Sequence, residues 1–276
     1  MPQIGERERQ GMEPRMIEAV IECTSATRYP SRRNVPTYGI GRLVGRGLAE
    51  SGSNGMRVVL AKLNDPQQSE VLLDESQCVA VPTALEAGAA LLAPPLALAL
   101  WMWDRLRLEL GELAVYTDGD FFSPLVGQVG LWRGGCPVVR LSGDADHGPL
   151  AGIDVLPTSD LEGVTRELRD RIKEKPGFAA IDLSGRPEVI DLFLEVLPRW
   201  GRMMLAGGTR DPLTVDFYNN VHRKGVLLLT SVFDPTRVFQ EEWGETYLTS
   251  AFRILQNREM AAACARVTHG QPPRQA

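Results

Sequence analysis

After Gly111 the chain repeats one texture: a run of four or five largely apolar residues, a polar or helix-patterned stretch, then another apolar run. The runs are Leu113–Thr117, Val138–Leu141, Ile153–Leu156, Ala179–Leu183, Met203–Ala206 and Val226–Thr230. Segments this short and this continuously apolar read as strands covered on both faces. Between them, Leu161, Val164, Leu168 and Ile172 fall on one face of a helix, and Ser159-x-x-Glu162 reads as a capping box at its start. Pro187 opens a second helix, whose Val189, Ile190, Phe193, Leu194 and Leu197 recur at helical spacing. Strands alternating with helices require right-handed crossovers, so the pattern predicts an α/β fold with a doubly wound parallel sheet.

The N-terminal part has a different grain. Residues 1–15 alternate charges and lack the apolar core of a signal peptide, which predicts a disordered tail. Up to about Pro82 the chain is β-rich, with apolar runs at 57–63 and 69–73 separated by the turn signal Asn64-Asp65-Pro66. An alanine- and leucine-rich helical connection follows. Its most hydrophobic stretch, Ala84–Trp103, contains Glu86, Gly88 and Pro94-Pro95, which predicts buried helices rather than a membrane span. Phe239, Trp243, Tyr247, Ala251 and Leu255 form an i, i+4 ladder and predict one further helix before Gly270-Gln271-Pro272-Pro273 breaks the pattern. The expected segments are therefore 1–15, 16–110, 111–235 and 236–276. Thirty basic against 35 acidic residues argue against a nucleic-acid partner. The four cysteines, Cys23, Cys78, Cys136 and Cys264, form no CxxC pair, so neither a disulfide framework nor a zinc knuckle is expected, and a cytoplasmic setting fits.

Gly111-Glu112 before the first strand, Gln128 in the helix after it and Gly134-Gly135 before the second strand stand in a familiar order. So do Asp182-Leu183-Ser184-Gly185, Gly201-Arg202 through Gly207-Gly208, and Val215-Asp216-Phe217. With Tyr38-Gly39-Ile40-Gly41-Arg42-Leu43-Val44 and Gly55-Met56-Arg57-Val58 upstream, the sequence resembles the medium-chain dehydrogenase/reductase superfamily, of alcohol dehydrogenase and quinone reductase type. The resemblance implies a Rossmann-like domain over 111–235 and a truncated GroES-like domain with its helical connection over 16–110. It also implies NADP or NAD as cofactor, a small-molecule substrate, and a homodimer formed through the edge strand Val226–Thr230.

The departures shape the expected chemistry. Asp118, Asp120 and Ser123 stand where the superfamily's GxGxxG glycines would, and those glycines let the backbone approach a pyrophosphate. Two carboxylates there would repel it. None of His147, His222 and His269 falls at a zinc-ligand position of the superfamily, so the resemblance is to its zinc-free branch. Arg28, Arg32, Arg33, Arg42 and Arg46 form an acid-free run that reads as a solvated basic face or as a clamp for an anionic substrate. If the resemblance holds, Asp118, Asp120 and Tyr38 are the candidate catalytic residues. Gly119, Ser123, Ser142, Ser184, Gly207, Gly208, Thr209 and Ser231 would line a cofactor site or pocket. Three functions stay open: a zinc-free NAD(P)H-dependent reductase of a carbonyl or enoyl substrate, a non-redox cyclase, lyase or isomerase on the same scaffold, and a non-catalytic partner subunit.

Overall fold

The computed structural model describes residues 16–24, 38–44, 55–60, 63, 68–74, 78–119, 122–143, 150–174, 177–208, 212–231 and 234–269. Two compact units divide the chain, residues 1–91 and 92–276. The helical connection therefore splits, its longer helix belonging to the second unit.

In the first unit, β1 (Met16–Thr24), β2 (Gly39–Val44), β3 (Arg57–Leu60), β4 (Glu70–Asp74) and β5 (Cys78–Ala80) form an antiparallel sheet in the order β4-β1-β2-β3-β5. Ala19, Leu43, Val58, Leu60 and Leu63 make its core. Two glycines let β2 lie close to β1: a Cβ on Gly39 or Gly41 would stand 3.0 Å from the carbonyl oxygen of Cys23 or Val20. Glu22 joins the strands by ion pairs to Arg42 at 2.6 Å and Arg57 at 2.7 Å. Burial pushes its carboxyl up, but the two guanidiniums outweigh that and hold it below the usual range. Arg42 of the basic run is thus neutralised by Glu22; Arg28, Arg32, Arg33 and Arg46 lie outside the described residues. A short helix, α1 (Ala87–Ala90), ends the unit.

The second unit opens with α2 (Ala93–Arg105), where Pro94 and Pro95 occupy the first turn, a place that has no intrahelical N–H bond to lose. The stretch Ala87–Arg105 is long and apolar enough to cross a membrane by composition. In the fold, α2 instead packs on α3 (Ser123–Trp132) and α6 (Gly244–Gln256). Trp103 donates from Nε1 to the Val126 carbonyl at 2.8 Å, and Trp101 stacks on Trp243 with centroids 4.6 Å apart.

Six strands follow: β6 (Leu113–Thr117), β7 (Val138–Ser142), β8 (Ile153–Pro157), β9 (Phe178–Asp182), β10 (Arg202–Leu205) and β11 (Leu227–Thr230). They form a sheet in the order β11-β10-β9-β6-β7-β8, with every neighbouring pair parallel. Each of the six expected runs is a strand, with ends within a residue of those expected. Every residue of β6, β7 and β9 is buried, as central strands of a doubly wound sheet must be, whereas the edge strands β8 and β11 are half exposed. Leu113 and Val115 face a core shared with α4 (Leu161–Lys173) and α5 (Pro187–Val196). Tyr116 points the other way, against Gly127 of α3, where a Cβ would stand 2.4 Å from its hydroxyl.

Three local expectations are corrected. The α4 cap is Asp160, whose carboxylate accepts from the Gly163 N–H at 2.9 Å, because Ser159 lies one residue too early for the first turn. The 239–255 ladder is not one helix: Pro235–Phe239 is a 3-10 turn, and α6 begins only after Trp243. A further helix, α7 (Arg258–His269), follows at Asn257, whose side chain accepts from the Glu259 and Met260 N–H groups.

Candidate functional site

The strand order reverses between β6 and β9. The chain leaves β6 toward β7 and leaves β9 toward β10, so the loops part and open a crevice beyond the carboxyl ends of these two strands. The last residue of each strand builds its floor. Asp182, wholly buried, ends β9 and gathers four donors. Its Oδ1 accepts from the Thr117 hydroxyl at 3.0 Å, the Ser184 N–H at 3.1 Å and the Ser184 hydroxyl at 2.7 Å, and its Oδ2 accepts from the Gly185 N–H at 3.0 Å. Thr117 ends β6, and its oxygen accepts in turn from the N–H groups of Leu183 at 2.7 Å and Ser184 at 3.0 Å. The Asp182 carbonyl accepts from the N–H groups of Ala206 and Gly207. One carboxylate and one hydroxyl thus fasten the ends of β6 and β9 together, and the Asp182 backbone carbonyl adds the end of β10. With four donors already served, the Asp182 carboxylate is a positioning group.

Glycine backbone closes these loops on one another. A Cβ on Gly119 would lie 2.1 Å from the Leu183 carbonyl oxygen, and one on Gly207 would lie 2.3 Å from the Gly185 nitrogen. Both neighbours are backbone, so neither position accepts a side chain without parting the loops. Among the described residues nothing lies within 4 Å of where a Cβ on Gly208 would stand.

Asp118 follows Thr117 and turns its carboxylate toward the start of α3. There Oδ1 accepts from the hydroxyl of Ser123, the first residue of that helix, at 3.4 Å. Oδ2 lies 3.7 Å from Nε of Arg140, a β7 residue only 2% exposed. A helix N-terminus carries unpaired N–H groups and a partial positive charge, and a buried guanidinium beside it adds a full one. Asp118 places a negative charge at that point.

At the mouth of β7 and β8, the Ser142 carbonyl accepts from both the N–H and the hydroxyl of Thr158, at 2.8 and 3.2 Å. Arg186, after β9, reaches over to donate to the Thr158 hydroxyl at 3.1 Å, while Glu188 holds its other nitrogens. This guanidinium borders Gly143, where a Cβ would stand 3.5 Å from its Nη1.

Of the residues expected at the site, Asp118, Gly119, Ser123, Ser184 and Gly207 meet at the β6–β9 mouth. Ser142 stands one strand away, and Gly208 has no described residue close to where its Cβ would stand. Ser231 lies off at the sheet edge, accepting from Arg237 at 3.2 Å. Asp120 and Thr209 lie outside the described residues. Tyr38 corrects its expected catalytic role: its ring is wholly buried and its hydroxyl donates to the Leu91 carbonyl at 3.0 Å, so it fastens a loop within the first unit. Thr117, Thr158 and Arg186 were not singled out as mouth residues, whereas Arg140, a guanidinium inside an apolar strand, could be read from the sequence as a partner for NADP.

No family model matches the chain, and no curated protein does. Among solved structures, the alcohol dehydrogenase of Thermus sp. ATN1 superposes with a TM-score of 0.70 at 12% identity, over 94% of this chain and 87% of its own. Galactitol-1-phosphate dehydrogenase of Escherichia coli gives 0.65 at 13% identity over 96% and 92%. A short chain alcohol dehydrogenase of E. coli CFT073, complexed with NADH, gives 0.66 at 13% identity over 91% and 85%. The chain has the medium-chain dehydrogenase/reductase fold.

That fold implies a nicotinamide dinucleotide with its pyrophosphate at the N-terminus of α3. The residues there do not fit it. The Asp118 carboxylate occupies the anion position, and the Gly119 backbone is packed on Leu183. Catalytic zinc needs three clustered His, Cys, Asp or Glu side chains, and the described residues bring no such group together.

Proposed function

We propose that this chain is an enzyme of small-molecule metabolism that keeps a reductase scaffold but works without a nicotinamide dinucleotide. Non-redox chemistry of the cyclase, lyase or isomerase kind is the reading its mouth supports best. The observation that carries it is the Asp118 carboxylate held between Arg140 and Ser123 where a pyrophosphate would lie. A substrate entering beyond β6 and β9 meets that carboxylate, the Ser184 hydroxyl and Gly208. These groups suit a hydroxyl or ammonium function better than a phosphate. Calorimetric titration with NADH and NADPH tests the reading: no saturable binding is expected at millimolar cofactor, and binding of either with hydride transfer would overturn it.

A zinc-free NADPH-dependent reductase is the second reading, favoured by Arg186 beside Thr158 and Gly143 at the mouth of β7. It requires the same titration to saturate with NADPH. In either case we propose a homodimer joined through β11, the sheet-edge strand whose Leu227 is 44% exposed. Light scattering should return twice the 30.4 kDa chain mass, and Leu227→Lys should return the monomer.

A further inference from the structure

The large apolar side chains that the second unit leaves exposed gather at one rim of its sheet. Trp200, Phe217, Tyr218 and Leu227 belong there, and among the described residues of the unit only Leu110 and Val155 are exposed elsewhere. Trp200, 79% exposed, precedes β10 with a left-handed backbone (φ 66°), which a bulky residue adopts only under constraint. The constraint is visible. Its N–H donates to the Lys224 carbonyl at 2.9 Å, and its ring lies on Gly225, where a Cβ would stand 2.8 Å from the indole. The indole thus reaches from the start of β10 over the residues that lead into β11, the edge strand, which pairs only with β10 among the described strands. A tryptophan held strained and exposed is a cost to the lone chain, and strain of this kind gathers at functional surfaces.

The two ends of β11 also differ in charge. At its start Arg199, Arg223 and Lys224 outnumber Asp216, the nearby Glu195 being paired with Arg169. After its end come Asp234, Glu241 and Glu242, against Arg237, which links Ser231 to Glu241. Two copies related by a twofold axis, with their β11 strands antiparallel, set the start of each strand against the end of the other, so cations meet acids twice. We infer that Trp200 anchors the contact between two copies of this chain, packing its indole against the end of the partner's edge strand, and that the opposite charges of the strand ends select this arrangement. The inference rests on the proposed homodimer through β11. It adds the residue that carries the contact and the charge pattern that makes a second copy the occupant.

The test uses the full chain, with sedimentation velocity over a concentration series and tryptophan emission on the same samples. Trp200→Gly removes the ring and suits the left-handed backbone, so the lone chain should keep or gain stability toward urea. Its dimer dissociation constant should rise at least about tenfold. Raising sodium chloride from about 0.05 to about 0.5 M should weaken the wild-type dimer severalfold, because the strand-end charges are exposed. If Trp200→Gly folds poorly, wild type alone decides: Trp200 is the most exposed of the five tryptophans, so emission should move to shorter wavelength as the dimer forms. A folded Trp200→Gly that dimerises with the wild-type constant, or wild-type emission unchanged on dimerisation, overturns the inference and leaves the β11 homodimer standing. A dimer indifferent to salt overturns the selection by charge. A wild type that stays monomeric at every concentration overturns the homodimer and the inference together, and its binding to phosphatidylserine vesicles would make a membrane the occupant instead.

Discussion

Thr117→Val isolates what fastens the mouth. Valine matches threonine in shape, so packing at the end of β6 is kept while one oxygen is lost. That oxygen donates to Asp182 Oδ1 at 3.0 Å and accepts from the Leu183 N–H at 2.7 Å and the Ser184 N–H at 3.0 Å. The Ser184 N–H retains Asp182 Oδ1 at 3.1 Å, so it is not stranded. The Leu183 N–H is stranded, in a buried position, and the wholly buried Asp182 carboxylate loses one of its four donors. Leaving a buried polar group unsatisfied costs about 1–3 kcal/mol, more when it is charged, so the pair should cost about 3 kcal/mol. For a unit of this size that is a fall in melting temperature of roughly 6–12 °C. Thermal and urea unfolding followed by circular dichroism measure it, with Thr117→Ser, which keeps the hydroxyl, as the control. A Thr117→Val loss under about 1 kcal/mol, or equal losses for both variants, would refute the assignment of Thr117 and Asp182 as the fastening of β6 to β9.

Two further predictions concern charge elsewhere in the second unit. Glu112 accepts from the Glu109 N–H at 2.8 Å and pairs with Arg202 at the opposite end of the sheet, with the two side chains 8% and 17% exposed. Arg202→Met leaves a buried carboxylate without its cation and should cost about 3–5 kcal/mol by urea midpoint; Glu112→Gln with Arg202→Met should recover part of it. On the α2–α6 contact, the Tyr247 hydroxyl donates to Asp104 at 2.6 Å. Burial and that hydrogen bond push the Tyr247 phenol up to about 12, so its contribution is complete below its ordinary value and fades as pH rises toward 12. The same hydroxyl, with Arg133, holds the Asp104 carboxyl below its usual range, so its contribution is complete above that range and fades as pH falls through the lowered value. Melting temperature against pH should show both limbs, and Tyr247→Phe should flatten the alkaline one and shrink the acid one.

The parallel sheet was legible because continuous apolar runs have one stable home, a strand covered on both faces, and Leu113–Thr117, Val138–Ser142 and Phe178–Asp182 are all buried throughout. Helix ends were less legible, because Ser159 and Asp160 are chemically similar caps and only geometry decides between them. At the candidate site the sequence showed an aspartate, Asp118, where the resemblance expects a loop glycine, but not what would face it. Its ion-pair partner could not be read from spacing, since Arg140 lies 22 residues from Asp118 in sequence and meets it because β6 and β7 are neighbours. Tyr38 shows the converse. A tyrosine among glycines and apolar residues suggests a donor for substrate, yet its hydroxyl is spent on the Leu91 carbonyl. A side chain's residue type states what it can donate or accept, and burial decides whether any of that is left for a ligand. By that criterion Asp182 and Tyr38 are committed to the fold, whereas Asp118, held by Arg140 on one side and Ser123 on the other, keeps 17% of its side chain exposed.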